Sequence, residues 1–97
     1  MTIVVTGGTG TRVVTFSGYI TAVAIKAPNA TATYGIEIFD ADSFPLMGEA
    51  GMTGNTRIDR TFATSGANTI NIVNATNGTY EIRLWHKDHA GSIVHAT

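Results

Sequence analysis

The chain of 97 residues has no cysteine, only two prolines and few charged residues. Without cysteine it can form neither a disulfide framework nor a thiolate metal site. Charged residues make up 13% of the sequence, about half of the ~25% that is usual for soluble domains. The formal net charge of −1 gives no electrostatic sign of nucleic-acid binding. No apolar run approaches the ~18 residues of a membrane-spanning helix, so we expect neither nucleic acid nor a membrane as a partner.

The N-terminal residues also lack the features of a secretory signal. Residues 1–6 begin directly with strand-like sequence and have neither a basic n-region nor an apolar h-region of ~7–15 residues. We therefore expect a protein made in a cytoplasm, without a signal peptide or a transmembrane segment. The hydrophobic fraction of 43% excludes polar, highly charged disorder and allows a chain of this length to bury a core. We expect a single domain that spans residues 1–97.

Segments rich in valine, isoleucine and threonine recur along the chain, with turn residues between them. In residues 31–39, for example, Tyr34, Ile36 and Ile38 share one face and Glu37 lies on the other. This pattern predicts an all-β fold of about eight strands with no significant helix. We expect a single antiparallel β-sandwich of jelly-roll or immunoglobulin-like type and favour it over a barrel.

Two stretches carry further local signals. Residues 40–55 contain Pro45 and three glycines, so we expect one long irregular segment there. Asn77-Gly78 is the strongest short hairpin signal in the chain, and we expect it to join two paired strands. In the strand that follows, residues 79–87, the alternation places Arg83 and Trp85 on the outward face.

A glycine-rich loop lies near the N-terminus. Its sequence, Val4-Val5-Thr6-Gly7-Gly8-Thr9-Gly10, resembles the opening of short-chain dehydrogenases. A loop of that kind binds pyrophosphate only where it joins a strand to a helix. Here the position of the third glycine holds Val13 and the residues after the loop are strand-forming, so we predict a hairpin turn and no cofactor.

Three histidines near the C-terminus form the most metal-like group. If Ala90-Gly91 were a two-residue turn, His86 and His95 would lie directly opposite each other, with His89 or Asp88 as a third zinc ligand. A four-residue turn would pair His86 with Ile93 and separate the ligands. We favour polar decoration of a surface hairpin over a zinc site.

Acidic residues in the segment 40–55 could provide oxygen ligands for calcium. Asp40, Asp42 and Glu49 do not follow the spacing of an EF-hand loop, so we favour a solvated turn. We predict no metal site and no cofactor. Serine, histidine and acidic residues show no spacing typical of catalysis, and we expect that the protein is not an enzyme.

Large apolar side chains cluster in the segment that is predicted to be irregular. Methionine repacks readily against irregular partners, and tryptophan and arginine are enriched at interface hot spots. The alternative is a satellite cluster that folds back over the edge of the sandwich. The side chains that we predict to contact partner proteins are Phe44, Leu46, Met47, Met52, Arg83 and Trp85.

The character of the whole chain resembles the small β-sandwich structural proteins of tailed-phage virions. The shared features are the strand that begins at Met1, the composition rich in threonine, alanine and glycine, the scarcity of lysine and the absence of cysteine. The resemblance implies a virion structural protein, a capsid decoration or head–tail accessory subunit. Its expected partners are further copies of itself and other virion proteins, such as a major capsid or tail protein.

A second, local resemblance covers about half of the chain. Residues 34–40 and 77–84, Tyr-Gly-Ile-Glu-Ile-Phe-Asp and Asn-Gly-Thr-Tyr-Glu-Ile-Arg-Leu, look like the paired strands of bacterial prepeptidase C-terminal-type jelly rolls. Modules of that type accompany secreted enzymes. The alternative function is therefore a secreted binding module for carbohydrate or peptide, with Trp85, Tyr19 or Tyr34 as a stacking platform.

Overall fold

The computed structural model describes residues 1–15, 18–64 and 66–87, together with the strand placement of residues 93–96. These residues form nine strands in two antiparallel sheets and no helix, which confirms the predicted all-β sandwich. The strands are β1 (Thr2–Val5), β2 (Gly10–Thr15), β3 (Gly18–Lys26), β4 (Thr33–Phe39), β5 (Pro45–Thr53), β6 (Thr56–Thr64), β7 (Ala67–Val73), β8 (Gly78–Lys87) and β9 (Ile93–Ala96). In this part of the chain no helix is long and apolar enough to cross a membrane.

The two sheets have the strand order of a jelly roll. Sheet I runs β1-β8-β3-β6, with β9 beside β8, and sheet II runs β2-β7-β4-β5. Within the first eight strands, each strand pairs with the one that is equally far from the other end: β1 with β8, β2 with β7, β3 with β6 and β4 with β5. This nested pairing is the jelly-roll alternative of the predicted sandwich. β9 extends sheet I on the edge that β1 also occupies.

One hydrophobic core lies between the sheets. It is built mainly from isoleucines at alternate strand positions, because successive side chains of a strand point to opposite faces. Burying each of these side chains contributes roughly 1.5–3 kcal/mol. As the alternation predicts, Tyr34, Ile36 and Ile38 are buried, while Glu37 lies on the outer face.

The segment 40–55 is not the long irregular loop that its proline and glycines suggest. Most of it is β5, which forms the edge of sheet II. Pro45 is tolerated because it is the first residue of an edge strand, where a ladder hydrogen bond is not required. The pairing of β5 with β4 has two register shifts, and Gly51 adopts a positive φ of 70° beside one of them.

The hairpin predicted at Asn77-Gly78 is also absent from the structure, because β7 and β8 belong to different sheets. In a jelly roll most connections cross from one sheet to the other, and a local turn signal cannot distinguish a crossing from a hairpin. The side chain of Asn77 instead accepts a hydrogen bond from the backbone N–H of Gly8, 3.1 Å away. This bond joins the connection between β7 and β8 to the turn between β1 and β2.

At each open side of the sandwich, an arginine side chain links the two sheets. On one side Arg12 of β2 occupies an inward position, opposite Ile70, and its Nη1 donates to the carbonyl oxygen of Thr2 at 3.1 Å. On the other side Arg60 of β6 forms an ion pair with Glu49 of β5. Inward-pointing charges of this kind prevent the edge strands of two molecules from pairing. Both open sides of the sandwich therefore carry a charged side chain at an inward position.

Candidate binding surfaces

Trp85 lies on the outer face of sheet I, on the outward side that the alternation predicts. Its ring is half-buried, and the guanidinium carbon of Arg57 lies 4.7 Å from the ring centroid, a cation–π distance. Arg57 comes from β6, two strands away, and β3 between them presents the small residues Ala22 and Ala24. Because these alanines are short, the two long side chains can meet across the intervening strand.

A groove of about 660 Å³ opens beside this pair. Thr2, Ala24 and Trp85 are among the residues that line it. The charged side chains that line it are Lys26, Arg57, Glu81 and Arg83. A volume of this size falls within the range of ~300–1,000 Å³ that is usual for small-ligand sites. The groove is therefore a candidate binding site with an aromatic ring and an excess of positive charge.

The predicted contact residues around Trp85 are only part of this site. Arg83 lies two residues from Trp85 on the same outward face, as expected. The alternation also places Arg57 outward, but the pairing that brings it to Trp85 links residues 28 positions apart and leaves no local signal. Arg57 is held from the other side by Asp59, whose carboxylate lies 3.0 Å from its Nε.

The four residues predicted to form an apolar contact cluster do not share one surface. Leu46, Met47 and Met52 lie in β5, and Phe44 precedes it. Met47 is buried, with 5% of its surface exposed, and Leu46 and Met52 are half-buried against the core. Only Phe44 projects into solvent, with 69% of its surface exposed. The alternative interpretation, a cluster folded against the sandwich, therefore describes three of the four residues.

Phe44 is held in place by a turn that Asp40 organises. The Oδ1 atom of Asp40 accepts hydrogen bonds from the backbone N–H groups of Asp42 at 2.9 Å and Phe44 at 2.8 Å. The backbone N–H of Asp40 donates to the carbonyl oxygen of Phe44 at 3.0 Å. This is an Asx-type turn, in which the carboxylate replaces backbone partners. It presents an aromatic ring to solvent on a well-defined loop.

The outer face of sheet II differs sharply from that of sheet I. At the outward positions of β2, β7 and β4, Glu37 is the one charged residue in the part of the chain that the structure describes. One row across the sheet joins Val13 to Thr69, Thr69 to Phe39 and Phe39 to Pro45. We call this set the apolar row. Val13, on the edge strand β2, is 59% exposed.

Two further tyrosines were candidates for a stacking platform, and the edge strand β1 adds an exposed valine. Tyr19 is 43% exposed on sheet I, whereas Tyr34 is buried in the core at 2% and cannot provide the stacking platform that was predicted for it. The N-terminal strand β1 forms an edge of sheet I, and its Val4 is 65% exposed. Val4 and Val13 thus lie on edge strands of opposite sheets, each facing solvent.

Those candidate metal ligands that the structure describes do not form a cluster. In the ladder between β8 and β9, His86 lies opposite Val94 and His95 opposite Trp85, so neither of the two predicted registers occurs. Asp88 and His89 lie outside the described residues. The carboxylates of Asp40 and Glu49 are engaged by the turn and by Arg60, respectively. Among the residues that the structure describes, no three histidines or acidic side chains are grouped to hold a metal ion.

The glycine-rich loop near the N-terminus forms a tight turn between β1 and β2. Thr6 and Thr9 form an isolated bridge, and the N–H of Thr6 donates to the carbonyl oxygen of Thr9 at 3.3 Å. Gly7 and Gly8 have φ angles of 66° and 86°, and two consecutive positive φ values are the requirement of a type I′ turn. This agrees with the predicted hairpin turn, and the strands diverge into different sheets directly after it.

Comparison of the chain with protein-family models, with curated proteins and with solved structures finds no match in any of the three.

Proposed function

We propose that this protein is a structural subunit that acts by protein–protein assembly, and that a second copy of the chain covers the outer face of sheet II. The single observation that carries the proposal is the composition of that face, which holds one charged residue, Glu37, across β2, β7 and β4. Solvent-facing sheets normally alternate polar and charged residues with the buried ones. Here the polar side chains are the uncharged Thr11, Thr33, Thr69 and Asn71. A face with so little charge, in a chain that places charges elsewhere, fits a covered surface.

The apolar row supplies the contact area that such an interface needs. Val13 and Pro45 are exposed at its two ends, and Phe39 is half-buried near its centre. The core of a protein interface is depleted of charge and enriched in apolar and aromatic groups. Phe44 follows Asp40 in the turn before Pro45 and adds an exposed ring next to the row.

A second copy is the occupant that the charge distribution favours. A two-fold interface brings the same surface patch of both molecules together, so a net charge on that patch meets an equal net charge of the same sign. With only Glu37 present, this repulsion is small. Sheet I, in contrast, carries four cations and two anions on its outer face, so two copies of that face would repel each other through a net positive charge. These residues are Lys26, Arg57, Asp59, Glu81, Arg83 and Lys87.

The setting that we propose for this assembly is a virion, in which the subunit decorates a capsid or acts as a head–tail accessory protein. The support is the resemblance of the composition, poor in lysine and rich in threonine, alanine and glycine, to small virion structural proteins. Such subunits stabilise a particle by burying protein surface and need no cofactor. Affinity for assembled particles tests this part of the proposal separately from self-association.

The chain offers a matched pair of variants for the self-association test. Val13→Lys introduces a charge at the exposed end of the apolar row, and Val4→Lys introduces the same charge at an equally exposed edge position of sheet I. We expect the wild-type protein to form a dimer or larger oligomer at micromolar concentration. Val13→Lys should weaken association by at least about tenfold, since the interface would have to take a lysine charge out of water, and Val4→Lys should not.

Size-exclusion chromatography with light scattering gives the masses, and sedimentation velocity gives the dissociation constants. A wild-type protein that stays monomeric at ~100 μM and has no affinity for assembled particles would refute the assembly proposal. Equal loss of association in both variants would instead exclude the outer face of sheet II as the interface.

A second candidate function is a secreted binding module for carbohydrate or peptide. The observation that favours it is the groove on sheet I, where Trp85 lies beside an open volume of about 660 Å³. Its test is ligand binding at Trp85, which is independent of the oligomeric state.

A further inference from the structure

The groove on sheet I combines a flat aromatic ring with an excess of positive charge. Among the described residues that line it, Lys26, Arg57 and Arg83 are cationic and Glu81 is the only anion. The whole chain carries a net charge of −1, so the positive groove is a local feature and not a property of the surface as a whole. The charge of the groove favours an anionic ligand.

The cationic side chains of the groove differ in whether they already contact other side chains of the protein. Arg57 contacts Trp85 and is paired with Asp59, so it fixes the ring more than it offers charge to a ligand. Lys26 and Arg83 are exposed and form no ion pair within the described part of the chain. Lys26 lies opposite Glu81, and Arg83 lies opposite Ala24, which leaves open space at the floor. Two cations thus lie beside Ala24 and an aromatic ring, with Glu81 as the one anion, opposite Lys26.

The backbone of the groove restricts the class of ligand. Its floor is made by β3 and β8, which pair with each other along their length. Their N–H and C=O groups therefore cannot bind a peptide as an added strand. An extended peptide would have to bind through side chains alone. A sugar ring, in contrast, needs only an apolar face to stack on and polar groups at its rim.

We propose that the groove beside Trp85 binds an acidic oligosaccharide, one whose sugar rings carry carboxylate or sulfate groups. A sugar ring packs beside Arg57 against the part of Trp85 that lines the groove, and the acidic groups pair with Lys26 and Arg83. Arginine binds a carboxylate in a bidentate manner and lysine binds it as a point charge. The proposal gives a ligand class to the binding-module alternative and does not depend on assembly through sheet II.

The single tryptophan of the chain makes the site directly observable. Any change in tryptophan emission on titration reports on Trp85. The probe is trigalacturonic acid, and its methyl ester is the neutral control with the same ring skeleton. We expect a saturable change in emission with the acid, and binding of the ester that is at least about tenfold weaker, which is the effect of losing one charged hydrogen bond.

The cationic groups are tested by the double variant Lys26→Gln/Arg83→Gln. Its matched control is Lys87→Gln, which removes a charge from β8 outside the groove. The double variant should bind the acid at least about tenfold more weakly, and the control should bind it as the wild type does. Circular dichroism checks that each variant is folded. If the double variant fails to fold, the salt dependence of wild-type binding replaces it, since charge pairing weakens as salt screens it.

The possible outcomes distinguish the acidic ligand from the more general carbohydrate-binding module. A saturable response to the acid alone, reduced by the double variant or by salt, supports the acidic ligand. Equal binding of the acid and its ester overturns the acidic class but leaves a carbohydrate-binding module. No response to either sugar up to about 10 mM overturns both the acidic ligand and the carbohydrate-binding module. An oligonucleotide that binds more tightly than the sugar acid also overturns the proposal.

Discussion

The rings of Tyr34 and Tyr80 meet edge to face in the core, with their centroids 5.2 Å apart and their planes at 69°. Tyr34 belongs to β4 of sheet II and Tyr80 to β8 of sheet I, so the contact joins the two layers. Both hydroxyl groups donate to backbone oxygens: Tyr34 to Gly54 at 2.6 Å and Tyr80 to Thr76 at 2.7 Å. Each acceptor lies in a connection that crosses between the sheets, so the pair fixes two crossings as well as the core.

Because of this tyrosine pair, the free energy of unfolding should decrease at alkaline pH. Burial raises the pKa of both Tyr34 and Tyr80 above the usual 10.0, since a phenolate is poorly solvated in the core. The unfolded chain therefore loses these protons at a lower pH than the folded chain. Stability is fully present below pH 10 and falls as the pH rises above it. We expect the free energy of unfolding, measured with urea, to decrease as the pH rises above 10.

The variant Tyr34→Phe tests whether the buried tyrosines cause this loss of stability at alkaline pH. It removes one of the two groups, so its unfolding free energy should decrease less steeply above pH 10 than that of the wild type, whatever its stability at neutral pH. Tyr19→Phe is the control, because it removes the same hydroxyl from a ring that is 43% exposed. An equal pH slope in wild type and Tyr34→Phe would contradict the burial argument.

The alternation of residue types made the strands and their inward faces predictable from sequence. Ile36, Ile82 and Leu84 are buried as expected, because a period of two directly determines which side of a strand a residue occupies. Sheet membership was not predictable in the same way. Asn77-Gly78 has the local chemistry of a hairpin, but pairing with distant strands assigns β7 and β8 to different sheets. β5 was missed because an edge strand tolerates proline and glycine that a central strand excludes.

For the candidate surfaces too, the sequence predicted single residues but not their neighbours. Trp85 was identified from its outward position, while Arg57, which contacts its ring, comes from another strand of the same sheet. The apolar row likewise consists of residues from four strands, and none of them is unusual within its own segment. Sequence predicts which face a residue occupies. Which residues share that face depends on the register between strands that are distant in the chain.

Gly10 should be required for the close approach of β1 and β2. A Cβ atom added there would lie 2.5 Å from the carbonyl oxygen of Val4 and 2.6 Å from Cγ2 of Ile3. Gly48, also in a strand, has no atom within 4 Å of the same position. We expect Gly10→Ala to destabilise the fold by about 1–3 kcal/mol, as overpacking does, and Gly48→Ala to be neutral or slightly stabilising.

Urea unfolding at neutral pH measures both changes. The comparison removes the general effect of replacing glycine in a strand, since both variants share it. A Gly10→Ala protein as stable as Gly48→Ala would show that the crossing of the two strands can relax to admit a methyl group.

Phe44 and Met47 should differ in what they contribute, although they are three residues apart. Met47 is 5% exposed, and Met47→Ala should cost about 2–5 kcal/mol because it leaves a cavity in the core. Phe44 is 69% exposed, and Phe44→Ala should change stability by no more than about 0.5 kcal/mol. If Phe44 contacts a neighbouring copy, the same variant should weaken self-association. Thermal unfolding and sedimentation velocity measure the two effects separately, and a large loss of stability in Phe44→Ala would contradict its placement.

Arg12 should protect the edge of sheet II from pairing with other molecules. Its side chain points inward from β2 and donates to Thr2 of β1, whereas Arg12→Val would produce the uncharged strand Thr-Val-Val-Val-Thr. An exposed, apolar edge strand without charge is a template for aggregation. We expect Arg12→Val to become turbid and to bind thioflavin T on incubation at micromolar concentration, and Arg12→Lys to remain clear because it keeps the charge. If Arg12→Val stays as dispersed as Arg12→Lys, the edge is protected by its short length and its position beside β1 and not by this charge.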